Sequence, residues 1–460
     1  MAETEIRRSW VESLRLYSQP RVIGISFLGF SAGLPYLLVF STLSAYLRDV
    51  DVSRSTIGYF GLVGTTYSIK VFWAPLIDRL RIPLLTKLLG KRRSWMLLAQ
   101  AALIAGLAAM ALTDPTDSLA VFALLAVFVA FASATQDVAI DAWRIEAVPR
   151  DWQGIMAAGY VFGYRFALLV SGAGALYIAD FISWSAAYLV MAVLLVVGVA
   201  TTLLISEPEI TQDRESVMLE QRVIDFMGRR AHWPEIPRRL AGWFVGAVVG
   251  PFLDFFKRYG HMALAILVFI GIYRISDITM GIMANPFYLD LGFSKSEIAS
   301  IAKVFGFVMT ITGAALGGLL VARFGFFRPL LLGAVLVAVT NLLFAYMASV
   351  DKSLQLLALV ISADNLSGGI AIAAFIAYLS SLTNVAYTAT QYALFSSLMT
   401  LPAKLVSGIS GVIVDSYGYI WFFVYASAIG VPAILLVLYL MHLANSDASG
   451  GDRSDPVSDR

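Results

Sequence analysis

Residues 131–144 read Phe-Ala-Ser-Ala-Thr-Gln-Asp-Val-Ala-Ile-Asp-Ala-Trp-Arg, two carboxylates and an amide closing an apolar run that starts at Leu119. Asp137 and Asp141 are four apart, so on a helix they stack on one face with Gln136 beside it. The run from Leu119 to Ala134 has the composition of a membrane span. An ionisable group inside one costs roughly 2.5–3.5 kcal/mol on insertion scales, a cost that usually marks an ion or substrate path. The plainer alternative is that both aspartates sit near the span's end and pair with Arg144 or another helix.

The rest of the chain supports a membrane setting. Its 460 residues are 59% hydrophobic and 14% charged, with a mean hydropathy of +0.78, whereas soluble domains are about 45–50% apolar. Long apolar stretches separated by charged or Gly/Pro turns favour helical spans over the roughly ten-residue alternating strands of an outer-membrane barrel. Cysteine is absent, and the three histidines, His232, His261 and His442, are scattered, so neither a disulfide framework nor a metal centre is indicated. The net charge of +2 gives no signal for nucleic acid. The amino-terminal stretch with Arg7, Arg8, Arg15 and Arg21 lacks the apolar core and cleavage site of a signal peptide.

Twelve spans are expected, at 22–47, 56–77, 95–113, 118–143, 154–179, 184–205, 262–289, 296–321, 329–349, 353–381, 388–414 and 418–443. Each reaches the roughly 20 residues needed to cross the hydrocarbon layer. With both termini in the cytoplasm, 24 of the 33 Lys and Arg lie on that side and only Arg48, Arg54, Lys295 and Lys352 lie outside. That asymmetry is the positive-inside pattern of an even number of crossings.

The expected organisation is an amino-terminal six-helix bundle at 1–206, a cytoplasmic linker at 207–261, a carboxy-terminal six-helix bundle at 262–445, and a disordered Asp/Ser/Gly-rich tail at 446–460. Within the linker, Leu240 to Phe256 is apolar but carries Pro251, Asp254 and glycines. It reads as an interfacial or re-entrant helix, with an extra crossing as the alternative. The halves share polar punctuation: Ser-basic-Ser-x-Ile after Tyr46 and again after Tyr288, and "SGAGALYIAD" from Ser171 against "SGISGVIVD" from Ser407. Ser294 and Glu297 have capping-box spacing. Parallel six-helix repeats are the signature of one transporter architecture, whose substrate site lies between the halves near the midplane. Glycine pairs at 29/33, 159/163 and 313/317 have the spacing for close helix contact.

Asp78-Arg79, followed by Gly90-Lys91-Arg92-Arg93, resembles the loop motif of the major facilitator superfamily. In that superfamily the motif latches helix ends, which assigns gating to Asp78, Arg79, Arg92 and Arg93. Anchoring by positive charge alone would explain the basic cluster but not Asp78. The second half offers Gly318, Arg323, Gly325 and Arg328, with Ala322 where the aspartate would stand, so a matching latch there is incomplete. Within the superfamily, "FLGFSAGLPYLL", "YSIKVFWAPLIDR", "ASATQDVAIDAW", "GYRFALLVSG", "NPFYLDLGFSKSEIASIAK", "DNLSGGIAIAAFIAYL" and "TATQYALFSSL" together resemble the AmpG muropeptide permease family. The resemblance implies proton-driven import of anhydromuropeptides across the bacterial inner membrane by alternating access, with no cofactor beyond the proton gradient. A similar branch serves pigment-protein assembly, and a more distant one carries acetyl-CoA.

The residues suit an anionic, sugar-bearing cargo. Lys70, Arg165, Lys303 and Lys404 are candidate cations for its carboxylates. Gln136, Asn365 and Gln391 are candidate amides for its hydroxyls, and Tyr67, Tyr160, Tyr164, Tyr378 and Tyr392 are candidate walls for its rings. Against each cation stands an intramembrane ion pair with no ligand, and against each tyrosine stands interface packing. Proton coupling needs a carboxylate that can be held in either state, burial opposing its charge and a nearby cation favouring it. Asp137, Asp141, Asp277 and Asp364 are the candidates, with Arg274 three residues from Asp277 as a neutralising partner. No Gly-x-x-x-x-Gly-Lys-Ser/Thr loop is present, so ATP hydrolysis lacks its phosphate cradle. A monomeric carrier that is not an enzyme is expected. An assembly factor that binds partner helices and moves nothing is the alternative.

Overall fold

The structure is a computed structural model that describes Glu12 and residues 15–52, 60–208, 234–235, 249–407 and 409–450. Arg7, Arg8, the Arg54 copy of the repeated motif, linker residues 209–233 and 236–248, and the tail from 451 lie outside the described residues. Every regular element among the described residues is helical. Among the described residues ten helices are long and apolar enough to cross a membrane. The other two expected crossings miss that standard for physical reasons.

The second expected span is broken. A 3-10 turn at Gly61–Gly64, a single α turn at Thr65–Ser68 and another 3-10 turn at Lys70–Phe72 precede a short helix at Ala74–Arg79. Gly61, Gly64 and the β-branched Val63, Thr65 and Thr66 weaken a continuous helix, and Pro75 fits only in the first turn of a new one. The eleventh is the helix Thr388–Ser407, whose Gln391, Lys404 and internal Pro402 dilute its hydropathy.

Contacts divide the chain into two compact units, Tyr17–Arg258 with Leu379–Ser397, and Tyr259–Tyr378 with Leu398 onward. The elements used below are α1 (Pro20–Leu38), α2 (Ala74–Arg79), α3 (Leu85–Leu89), α4 (Lys91–Leu112), α5 (Leu119–Glu146), α6 (Gln153–Leu169), α7 (Val196–Leu204), α8 (Gly250–Tyr259), α9 (Met262–Ile272), α10 (Ile275–Asp290), α11 (Lys295–Ile298), α12 (Gly306–Phe324), α13 (Phe327–Met347), α14 (Leu354–Leu382), α15 (Thr388–Ser407), α16 (Ser410–Ala428) and α17 (Val431–Gly450). Helix α17 runs on to Gly450, past Ser446 where a disordered tail was expected to begin.

In the first unit α1 and α6 meet backbone to backbone. A Cβ on Gly29 would lie 2.4 Å from the Tyr160 carbonyl oxygen, and one on Gly163 would lie 1.7 Å from that of Ser26. In the second unit α12 and α14 meet in the same way, with Gly313 against Leu366 and Gly369 against Thr310. Lipid tails are as apolar as leucine, so burial in oil gives no hydrophobic gain. Close packing of this kind supplies the attraction instead. Around these contacts lie a mixed core that includes Leu34, Leu103, Phe122 and Met191, and a more aromatic one that includes Phe287, Phe344, Phe422 and Phe423.

Ser294 and Glu297 form the expected capping box at α11. The Glu297 N–H donates to Ser294 Oγ at 3.2 Å, and the Ser294 N–H donates to Glu297 Oε2 at 2.6 Å. Of the linker's apolar run only the part from residue 249 is described, and it carries the helix α8. Its Pro251, Asp254 and Phe255 are buried while Phe252, Leu253 and Phe256 are exposed.

Candidate functional site

Helix α5 changes character along its length. Val121, Leu124, Phe128 and Phe131 are exposed at helical spacing, a lipid-facing stripe, whereas residues 132–145 are buried on every face. The stretch carrying Asp137 and Asp141 is therefore interior. Asp141 accepts from Arg144 Nη2 at 3.2 Å one turn away. The Arg144 guanidinium is fully buried, donates to Ser380 Oγ at 2.9 Å, and stacks 5.1 Å from the Tyr392 ring and 6.0 Å from that of Tyr160. Asp141 thus has the pairing that the plainer alternative foresaw.

Asp137 is different. It is buried, and among the described residues it makes no ion pair, with its Oδ1 lacking any hydrogen-bond partner. Lys70, also buried, sits in the break of the second span, and its ammonium makes no hydrogen bond or ion pair among the described residues. Its charge nevertheless acts on both Asp137 and Asp141. Trp73 ties the break to α5 by donating to Thr135 Oγ1 at 3.1 Å.

Tyr36, Tyr67, Tyr160 and Tyr164 all lie close enough to Asp137 to feel its charge. Their rings form a chain, with Tyr36 5.6 Å from Tyr67 and 6.3 Å from Tyr164, and Tyr164 5.8 Å from Tyr160. Tyr36 was not singled out from the sequence, because it follows Pro35 in an otherwise apolar helix. Gln136 faces elsewhere: Ser31 donates to its Oε1 at 2.8 Å, and its Nε2 donates to the Ser31 carbonyl at 3.0 Å. Arg165 is half-buried next to Tyr164.

The expected gate residues do assemble. Buried Arg92 donates to Asp78 Oδ1 at 2.8 Å, to Glu146 and to the Ile77 carbonyl at 3.2 Å. Asp78 then caps the start of α15, accepting from the amides of Ala389 at 3.1 Å and Thr390 at 2.7 Å and from the Thr390 hydroxyl. A carboxylate at a helix start meets unpaired amides and the positive end of the helix dipole. Arg93 donates to the carbonyls of Thr202 and Leu203 at the end of α7, and Arg79 lies over the Tyr387 ring at 6.0 Å. Glu146 and Glu207 were not foreseen. Glu207 caps α4 through the Arg92 and Arg93 amides, and it can approach because Gly90, at φ +88°, has no Cβ to meet it.

Gln391 is wholly engaged with the linker helix. Its Nε2 donates to the Pro251 carbonyl and to Asp254 Oδ2, each at 2.9 Å, and its Oε1 accepts from the Asn384 amide at 2.7 Å and Arg258 Nη2 at 3.1 Å. Asp254 also accepts from Asn384 Nδ2 at 3.1 Å and Arg258 Nε at 3.0 Å.

In the second unit Arg274 and Asp277 form the expected neutralising pair. Asp364 makes only a long contact from Thr340 Oγ1, at 3.5 Å, among the described residues. Asn365 joins helices, accepting from Thr310 Oγ1 at 2.8 Å while donating to the Ile361 carbonyl. Tyr378 is buried against Phe269 and Phe327. Lys404 is exposed on α15, and Lys303 falls in a π-helical turn at Ala299–Phe305, its side chain outside the description.

Polytopic helices with carboxylates and cations kept inside them have the make-up of a membrane transporter. The sequence matches the Major Facilitator Superfamily over residues 23–401. "Putative transporter AmpG 4" of Rickettsia conorii is 32% identical over 428 residues, covering 93% of this chain and 98% of its own length. The "Anhydromuropeptide permease" of Escherichia coli K12 is 35% identical over 427 residues, covering 92% and 80%. Among solved structures, the proton:xylose symporter XylE superposes with a TM-score of 0.62 at 15% identity, covering 94% of this chain and 96% of its own. The human organic anion transporter MFSD10 superposes with 0.63 at 15% identity, covering 91% and 99%. At that identity the likeness concerns the fold alone. The chain belongs to the AmpG family of the Major Facilitator Superfamily.

Proposed function

We propose that this protein imports anhydromuropeptides, the disaccharide-peptide fragments of peptidoglycan turnover, across the bacterial inner membrane together with protons. It acts as a monomer with both termini in the cytoplasm, by alternating access. The observation that carries the reading is Asp137, a carboxylate buried in a membrane span, without an ion-pair partner among the described residues and within electrostatic range of Lys70 and several tyrosines. A carboxylate in that setting is expensive in one fixed state. Taking up a proton at one stage of a cycle and releasing it at another accounts for keeping it. The tyrosines present flat rings and hydroxyls suited to sugars, and Lys70 presents a cation to a peptide carboxylate.

Within this reading Asp137 is the leading proton site, and Asp364 its counterpart in the second unit. Asp141 and Asp277 hold arginines in place. Asp78, Arg79, Arg92 and Arg93 serve the gate. Gln136, Asn365 and Gln391 serve packing, while Lys303, Arg165 and Lys404 remain candidate cargo cations. Membrane vesicles given labelled anhydromuropeptide with and without a pH gradient test the activity. Accumulation that needs the gradient is expected, and uptake no greater than in vesicles lacking the protein would refute the proposal.

A further inference from the structure

The turn joining α2 to α4 has a construction that the gate does not require. Leu80, Leu84 and Leu88 recur at four-residue intervals and are 46%, 76% and 78% exposed. Leu84 adopts φ +65° and ψ −57°, and the Leu85 N–H donates to the Pro83 carbonyl at 2.8 Å. That is a classic γ-turn, a strained conformation for a residue with a Cβ. It is braced by the Ile82 N–H donating to Thr86 Oγ1 at 2.9 Å and by Trp95 Nε1 donating to the Leu80 carbonyl at 3.1 Å. Beside the turn lies a cavity of about 590 Å³ lined by Arg79, Arg81, Lys87 and Lys91, with Ile82, Pro83 and Leu84 as its apolar wall.

The two acids that also line this cavity are already engaged. Asp78 is bound to Arg92 and the start of α15, and Glu207 to the amides that open α4. Arg81 and Lys87 make no hydrogen bond or ion pair among the described residues. Lys91 gives one N–H to the Asp78 carbonyl at 2.9 Å, leaving two donors. Four cations line the cavity against two carboxylates, so it carries net positive charge next to leucines that face outward. Positive-inside placement explains basic residues at this end of the helices. It explains neither a cavity that gathers them nor a strained turn that presents Leu84 at its edge.

We propose that this cavity binds the phosphate of an anionic phospholipid headgroup, with Arg81, Lys87 and Lys91 as donors and the acyl chains running along Leu84 and Leu88. A soluble phosphate would offer the same charge, but it would have no use for the leucine edge. Through Lys91 the headgroup contacts the backbone of Asp78, the first residue of the gate cluster.

Native mass spectrometry of the full chain, released from micelles carrying phosphatidylglycerol or phosphatidylcholine of matched acyl chains, tests this. The wild type should retain phosphatidylglycerol in preference. Each Lys or Arg near an anionic surface contributes about 1 kcal/mol, so the double variant Arg81→Gln/Lys87→Gln should lose about thirtyfold of that preference. Arg81→Lys/Lys87→Arg should keep it. Millimolar inorganic phosphate or glycerol 3-phosphate should not displace the lipid, and Leu84→Ser/Leu88→Ser should weaken retention. An unchanged preference in the double glutamine variant would overturn the site. Displacement by millimolar phosphate or glycerol 3-phosphate, or indifference to the leucine changes, would overturn its assignment to a lipid.

Discussion

Asp137 and Gln136 are neighbours on α5 and answer to different demands. Gln136 spends both ends of its amide on Ser31, so Gln136→Ala leaves buried polar atoms without partners, at a cost of about 1–3 kcal/mol. The expected outcome is a lower thermal midpoint with coupling unchanged. Loss of transport at full stability would instead place Gln136 against the cargo. For Arg165, half-buried beside Tyr164, Arg165→Gln should weaken uptake of peptide-bearing more than peptide-free disaccharide. An equal loss for both would make its role structural.

At the scale of the elements, the contact between α1 and α6 makes a sharp comparison. A Cβ at Gly163 would meet the Ser26 carbonyl oxygen at 1.7 Å, whereas at Gly281 in α10 nothing lies within 4 Å. Gly163→Ala should lower the thermal midpoint, and Gly281→Ala should leave it level or raise it, because alanine favours the helix by about 0.5–1 kcal/mol. A matching response in both would show that the backbone contact contributes little. At α11, Lys352 and Ser294 hold the Glu297 carboxylate below the usual glutamate range. A depressed carboxylate stabilises above its unfolded pKa, and that contribution is lost as pH falls through the folded value. Protection of the amides at the start of α11, taken relative to their intrinsic exchange rate at each pH, should therefore fall as pH drops through that range, while Glu297→Gln should remove the dependence.

These elements also show what the sequence could reveal. Spans, glycine contacts, the capping box and the Asp78 cluster were legible because their signals are local: apolar length, four-residue spacing, Ser-x-x-Glu, and a recognisable loop. The break at Lys70 was hidden because its glycines and threonines are apolar enough to extend a span on paper. Gln391 was read as a cargo ligand because its partners Pro251 and Asp254 lie more than a hundred residues away, on a linker helix that nothing in the sequence tied to it.

For the whole molecule, the account rests on separating two acts that a carrier performs, moving cargo and tying that movement to protons. Asp137→Asn keeps the side chain's shape and removes its charge, so it should spare the first act and abolish the second. The most direct measurement is paired on one preparation of vesicles containing Asp137→Asn protein: exchange of labelled for unlabelled anhydromuropeptide at equal pH, and net accumulation under a pH gradient. The account predicts that exchange persists while gradient-driven accumulation disappears. Accumulation at the wild-type level would contradict it, and proton coupling would then have to reside elsewhere in the chain.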